Sequence, residues 1–271
     1  MLGLLFEKQF DEYFAAFRQD LGLLVFSHVP KTAGSSLRAE IARVLKPEAN
    51  IFLDYNDKTR TYMQGLDDAV AAFLERHRKL PHRFASGHIF AHHVDAIARE
   101  AGSIRRVTML RQPVKRVVSD YRYQCSPMHP GNEEFRRRCP TFGHYLQRVE
   151  EANKATRYLV PHALFQSGDQ EACLDYMLRT YDFIGMQEMY PLSFRMLFAL
   201  IGQPRAPTLR MRVNDGDEAA ELAADPQVLR EVEDRNALDL GIYNAMLARW
   251  RSVRDPLLDY LATLPAQPGG L

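Results

Sequence analysis

The residues best suited to chemistry lie in one short run, Pro30-Lys31-Thr32-Ala33-Gly34-Ser35-Ser36. A compact cation, the hydroxyls of Thr32, Ser35 and Ser36, and the small residues Ala33 and Gly34 follow one another with no acidic side chain between them. Small side chains let backbone N–H groups approach an anion closely, the lysine adds a point charge, and the hydroxyls add donors. The chemistry this suits is the holding of a phosphate-like oxyanion. A second group is Arg111, at the end of the apolar run Val107 to Leu110, with Ser119 beyond it. A third is His88, in ASGHIFAHHV at residues 85–94. An imidazole, with an unperturbed pKa of about 6.5, can take up a proton near neutral pH.

These groups need elements to bring them together. The apolar run Leu23 to Phe26 reads as a strand entering the lysine loop, and Leu37, Ile41, Val44 and Leu45 recur on one face of a helix leaving it. A strand, a small-residue loop and a helix N-terminus make an anion cradle. Val107 to Leu110 is a second strand, and Pro113 suits the first turn of the helix that follows. On that helix Val114, Val117, Val118 and Tyr121 form the core face. Ser119 lies on another face, with Lys115 and Arg122 at i−4 and i+3. Phe84 to Ser86 is a third strand, ending at Gly87-His88.

The pattern along the chain predicts helix 4–19, strand 22–28, helix 34–46, an extended piece near 50–54, helix 66–79, strand 82–87, helix 92–101, strand 104–110 and helix 113–124. Residues of about 125–180 turn polar and helical, broken by Pro127, Pro130-Gly131, Pro140 and Pro161, and read as an insertion over the active site. Strand 182–185 and helix 188–202 follow, then helices 226–235 and 237–263 with a break near Pro256, and a frayed tail from Pro265 to Leu271. Alternating strands and helices predict an α/β fold with a central parallel sheet covered on both faces, a helical insertion and a helical final third, all one domain over 1–271. Ligands of such sheets bind beyond the carboxyl ends of the strands, which sends the loop and Arg111 to one crevice and His88 to the same edge.

Composition narrows the class. The chain has 271 residues, 46% hydrophobic and 25% charged, with a formal net charge of +1. That supports a packed core and gives no basic excess for nucleic acid. No run reaches the ~18 apolar residues of a membrane span, and the N-terminal stretch lacks the charged and apolar regions of a secretory signal. A cytoplasmic location is the expectation. The three cysteines, Cys125, Cys139 and Cys173, have no metal-ligand spacing. Cys125 and Cys139 could bridge across the Arg-rich segment between them.

A Walker A loop places glycines before its lysine, G-x-x-x-x-G-K-[ST]. Here Lys31 comes first, after Pro30, and Gly34 follows. That order resembles the 5′-phosphosulfate loop of sulfotransferases that use 3′-phosphoadenosine-5′-phosphosulfate (PAPS). The branch is the one that includes the heparan-sulfate and related carbohydrate sulfotransferases. DFIGMQEMYPLSFRMLFALIG at 182–202 and Asp239-Leu240-x-x-Tyr243 also resemble late segments of that family. The resemblance implies a P-loop nucleotide-kinase-like sheet and transfer of a sulfuryl group to an acceptor hydroxyl of a glycan or other alcohol. It implies that Lys31 sits at the leaving oxygen, that residues 32–36 hold the 5′-phosphate, and that Arg111 and Ser119 hold the 3′-phosphate. His88 matches a catalytic histidine of the heparan 2-O-sulfotransferases, whose preceding histidine is Ser86 here. No metal is expected at this site.

Plainer readings stand beside these. His92 and His93 read as helix caps or exposed polar residues, and no nearby Asp, Glu or Cys completes a persuasive metal set with His88, His92 and His93. Arg136, Arg137, Arg138, Arg148 and Arg157 read as a solvated face, and Asp239 and Tyr243 as packing. The competing functions are an ATP-dependent small-molecule kinase, which the missing Walker glycines and Walker B aspartate oppose, and a non-catalytic nucleotide binder.

Overall fold

The computed structural model describes residues 1–53, 59–209 and 225–265. The last residue of the extended piece near 50–54 and nearly all of the tail from Pro265 to Leu271 lie outside the described residues.

Five strands form one parallel sheet: β1 Leu23–Ser27, β2 Glu48–Ile51, β3 Phe84–Gly87, β4 Ile104–Leu110 and β5 Phe183–Met186. Their order is β2-β3-β1-β4-β5. In register Ser27 lies beside both Gly87 and Thr108, so the ends of β1 and β3 and the last residues of β4 share one edge. The central strand is apolar on both faces because both are covered. Leu24 and Phe26 face one core and Leu23 and Val25 the other. The second core is closed by α4 Tyr62–Lys79 and α5 Ala91–Ala101. The first is closed by α2 Phe10–Gln19, α3 Gly34–Val44, α11 Gln170–Thr180, α12 Tyr190–Leu200 and α14 Ala237–Thr263. Between β4 and α11 run α6 Pro113–Cys125, α7 Asn132–Arg138, α8 Phe142–Leu146, α9 Lys154–Leu159 and α10 His162–Ser167. With α13 Pro226–Arg235, α6 to α8 build a third small core around Val117, Phe135 and Tyr145.

Two expectations need correction. Helix 4–19 is two helices, α1 Leu2–Phe6 and α2, because Lys8 takes a left-handed φ of 63°. The bend lets α1 pack on α11 and α14 rather than continue along the path of α2. The break near Pro256 does not occur: α14 runs unbroken through it. Proline removes one helix bond, to the carbonyl four residues back. That residue, Ser252, is exposed, while Val253 and Leu257 are fully buried, so packing carries the helix through.

Candidate active site

The loop after β1 has an unusual backbone. Lys31 and Ala33 are both left-handed, with φ of 70° and 63°. For residues with a Cβ that conformation costs roughly 1–2 kcal/mol each, and successive right- and left-handed residues turn backbone N–H groups into a concave nest. Ala33 is also the N-cap of α3 and offers no capping side chain, so the first-turn amides of Gly34, Ser35 and Ser36 lie at the positive end of the helix beside that nest. The Thr32 hydroxyl is fully buried and donates to the Val29 carbonyl at 2.8 Å. It therefore braces the loop, and its amide is the group that remains for a ligand. Ser35 is half-buried and Ser36 buried.

The other two motifs converge on this loop by its carbonyl groups. His88 Nδ1 lies 2.6 Å from the carbonyl oxygen of His28. A carbonyl only accepts, so Nδ1 carries the ring proton and Nε2 is the accepting nitrogen of the neutral ring. The Arg111 guanidinium donates to the carbonyl oxygen of Lys31 at 3.0 Å. Burial disfavours the Arg111 charge, Glu188 supports it and Arg116 opposes it. Glu188 also accepts from the amide of Gln112 at 2.9 Å, at the N-terminus of α6. It stands in the short turn before α12, where its charge supports that of Arg111. The Lys31 ammonium lies 4.3 Å from the ring centroid of Tyr123, one helical turn beyond Ser119 on α6. Ser119 is half-buried on that helix.

Residues 16–244 match the profile described as the Sulfotransferase family. The chain belongs to the sulfotransferase family. No curated protein matches it. Among solved structures it is similar to mouse sulfotransferase SULT7A1 complexed with PAP, at 13% identity and a TM-score of 0.40, over 79% of this chain and 68% of that one. It is also similar to a sulfotransferase from Alicyclobacillus acidocaldarius, at 15% identity and a TM-score of 0.43, over 78% of this chain and 94% of that one.

In this sulfotransferase-family chain a buried ionic cluster lies behind the loop. Lys154, in the first turn of α9, contacts Asp120 at 2.7 Å and also pairs with Glu151. Arg116, fully buried, donates to the Glu151 carbonyl at 3.3 Å and lies 3.6 Å from Asp120. Burial opposes ionisation of Asp120, but Lys154 and Arg116 outweigh it and bring the carboxyl down to about 2. Asp239, read as packing, is a cap: its carboxylate accepts from the amides of Ala155 and Thr156 and from the Thr156 hydroxyl at 2.6–3.0 Å. It fastens α9 to the start of α14.

His92 and His93 lie apart from the converging carbonyls. The Phe90 amide donates to His93 Nδ1 at 3.1 Å, so Nε2 carries the proton and donates to Asp67 at 2.9 Å. Asp67, His92 and His93 could surround a cation by residue type. Binding at His93 Nε2 would require the opposite tautomer and would set Nδ1–H against the Phe90 N–H. Capping is the role this geometry supports. Ser86, where the family resemblance has a histidine, is fully buried and accepts from Arg38 of α3 at 3.0 Å. Most of the arginine run is engaged locally: Arg136 on the Cys125 carbonyl, Arg138 with Glu134, Arg148 with Glu150 and Arg157 on the Val149 carbonyl. All three cysteines are free thiols.

Sequence reasoning missed His28, Tyr123, Glu188 and the Asp120–Lys154 pair. Tyr123 had a signal, its i+4 spacing from Ser119. His28 had one too, adjacency to the loop. The pairing of Asp120 with Lys154 had none, because 34 residues separate them.

Proposed function

We propose that this chain transfers a sulfuryl group from PAPS to an acceptor hydroxyl. The observation that carries the reading is the convergence of His88 and Arg111 on the carbonyls of residues 28 and 31, which brackets one anion-suited loop with a base and a cation. Amides of residues 32–36 and the hydroxyls of Ser35 and Ser36 hold the 5′-phosphate. Arg111, with Ser119, holds the 3′-phosphate that distinguishes this donor from ATP. The acceptor oxygen attacks sulfur, the bond from sulfur to the phosphate oxygen breaks, and the acceptor proton passes to His88 Nε2. Lys31 neutralises the leaving oxygen, and no metal enters the step. The acceptor is a glycan or other alcohol, and residues of about 125–180 cover its side of a single domain.

Titration of 3′-phosphoadenosine-5′-phosphate (PAP) against ADP and ATP, with turnover of a labelled sulfuryl donor over an alcohol panel, tests this. PAP is expected to bind most tightly and label to reach a hydroxyl. Preference for ATP would favour a kinase, and PAP binding without transfer a non-catalytic binder. Lys31→Ala should lower turnover by about 10²-fold or more in a folded protein. Turnover close to wild type would remove Lys31 from the chemistry.

A further inference from the structure

We infer that the imidazole of His28 is a positioning residue that sets the direction of His88 while packed against the loop at Gly34; the inference rests on His88 being the base proposed above. His28 follows the last residue of β1 and is joined to the end of β3 in both directions. Its amide donates to the Gly87 carbonyl at 3.0 Å, and its own carbonyl accepts from His88 Nδ1. Those bonds fix Nδ1 of the His88 ring, and the direction of Nε2 also depends on what packs against the ring's faces.

The His28 side chain supplies one such contact. Its ring stacks on Phe26 at 5.3 Å and meets the His88 ring at 4.4 Å, centroid to centroid. The three rings form a ladder up the carboxyl edge of the sheet, with His28 as the middle rung. The same ring also reaches the loop. A Cβ on Gly34 would fall 2.1 Å from His28 Cδ2 and 2.2 Å from Nε2. Gly34 does not have a left-handed φ, so its missing side chain serves space rather than backbone conformation. The space is taken by the imidazole. One side chain is thus packed against the anion loop on one side and the base on the other. Catalytic geometry is sensitive at this scale, since a misplacement of about 1 Å can cost about 10²-fold.

Two measurements test this on the full chain. The first is a double-mutant cycle of His28→Ala and His88→Ala, read as kcat and PAP affinity, with melting curves for each variant. His28→Ala alone should lower kcat about 10–10²-fold and leave PAP affinity within a few-fold. His28→Phe, which keeps a ring in the ladder, should recover most of that loss. In the His88→Ala background His28→Ala should cost nothing further. Equal losses in both backgrounds, or an unchanged kcat in His28→Ala, overturn the inference while leaving His88 as base. If His88→Ala itself leaves turnover per folded molecule intact, the base assignment falls, and with it the claim that His28 acts through His88. The second measurement needs no turnover. Gly34→Ala should weaken PAP binding, and Gly34→Ala combined with His28→Ala should restore it, because the new methyl enters the vacated space. Gly34→Ala binding PAP like the wild type would show that ring and loop are not packed as argued.

Discussion

α6 borders two polar regions that treat charge in opposite ways. Toward the loop, Arg111 just ahead of the helix donates to a backbone carbonyl, and the Glu188 carboxylate supports its charge. Behind the loop, Lys154 meets two carboxylates and Arg116 lies beside one of them. The first region orients its cation chiefly by a backbone carbonyl, and the second sets its cations against carboxylates buried in the fold. Charged residues near an active site are therefore sorted better by what they touch than by where they fall in the sequence.

Four substitutions sharpen or break this contrast. The largest effect should come from His88→Ala, with kcat lowered roughly 10²–10⁴-fold and PAP affinity within a few-fold. In the wild type the rate should fall on the acid side as the base becomes protonated, and the mutant should lose that limb. An acid limb surviving in a folded, active variant would place the base elsewhere.

Next is Asp120→Asn, expected to destabilise by about 3–5 kcal/mol by leaving buried cations undercompensated. The Asp120 carboxyl is depressed in the folded state, from about 3.9 unfolded to about 2. Its contribution is full above the unfolded value and is lost as pH falls through the folded one. Denaturant midpoints should therefore differ by a constant amount above about pH 5 and draw together as pH falls from about 4 toward about 2. A gap independent of pH would assign Asp120 a packing role instead.

Arg111→Ala should come third. It should weaken PAP by about 1.5–3 kcal/mol and adenosine-5′-phosphosulfate, which lacks the 3′-phosphate, much less. Calorimetric titration showing equal losses would move Arg111 into the structural region. The smallest effect should be Ala33→Gly, which relieves a left-handed alanine and should stabilise the fold by up to about 1 kcal/mol, read as a higher melting temperature. A lower one would mean that the methyl packs more than the backbone strains.

Much of this was legible in the sequence because local rules and burial agree there. The two-faced apolar strands named the sheet, and Pro-Lys-Thr-Ala-Gly-Ser-Ser named the loop. Thr61-x-x-Gln64 even carried an unread capping box for α4, which therefore starts four residues before its predicted first residue. The illegible parts depend on distant partners. Nothing beside Lys8 announces a left-handed residue, and nothing beside Pro256 says that the turns around it are buried. Gly34 could be read as space for an anion, but not as space for the ring of His28. Asp239 and Thr156 are 83 residues apart, so neither predicts the cap they form.

That cap has a consequence for engineering. The segment between α6 and α11 is attached behind the loop by a carboxylate of α14 gripping two amides and by a lysine of its own reaching Asp120. It is also joined to α14 through Asn153 and to α6 through the Glu151 carbonyl, and α7 and α8 share a core with α6 and α13. A donor segment from another chain, grafted here, must return a helix N-terminus to Asp239 and a cation to Asp120. A graft lacking either would leave the Asp239 carboxylate without its amides or Asp120 without its lysine.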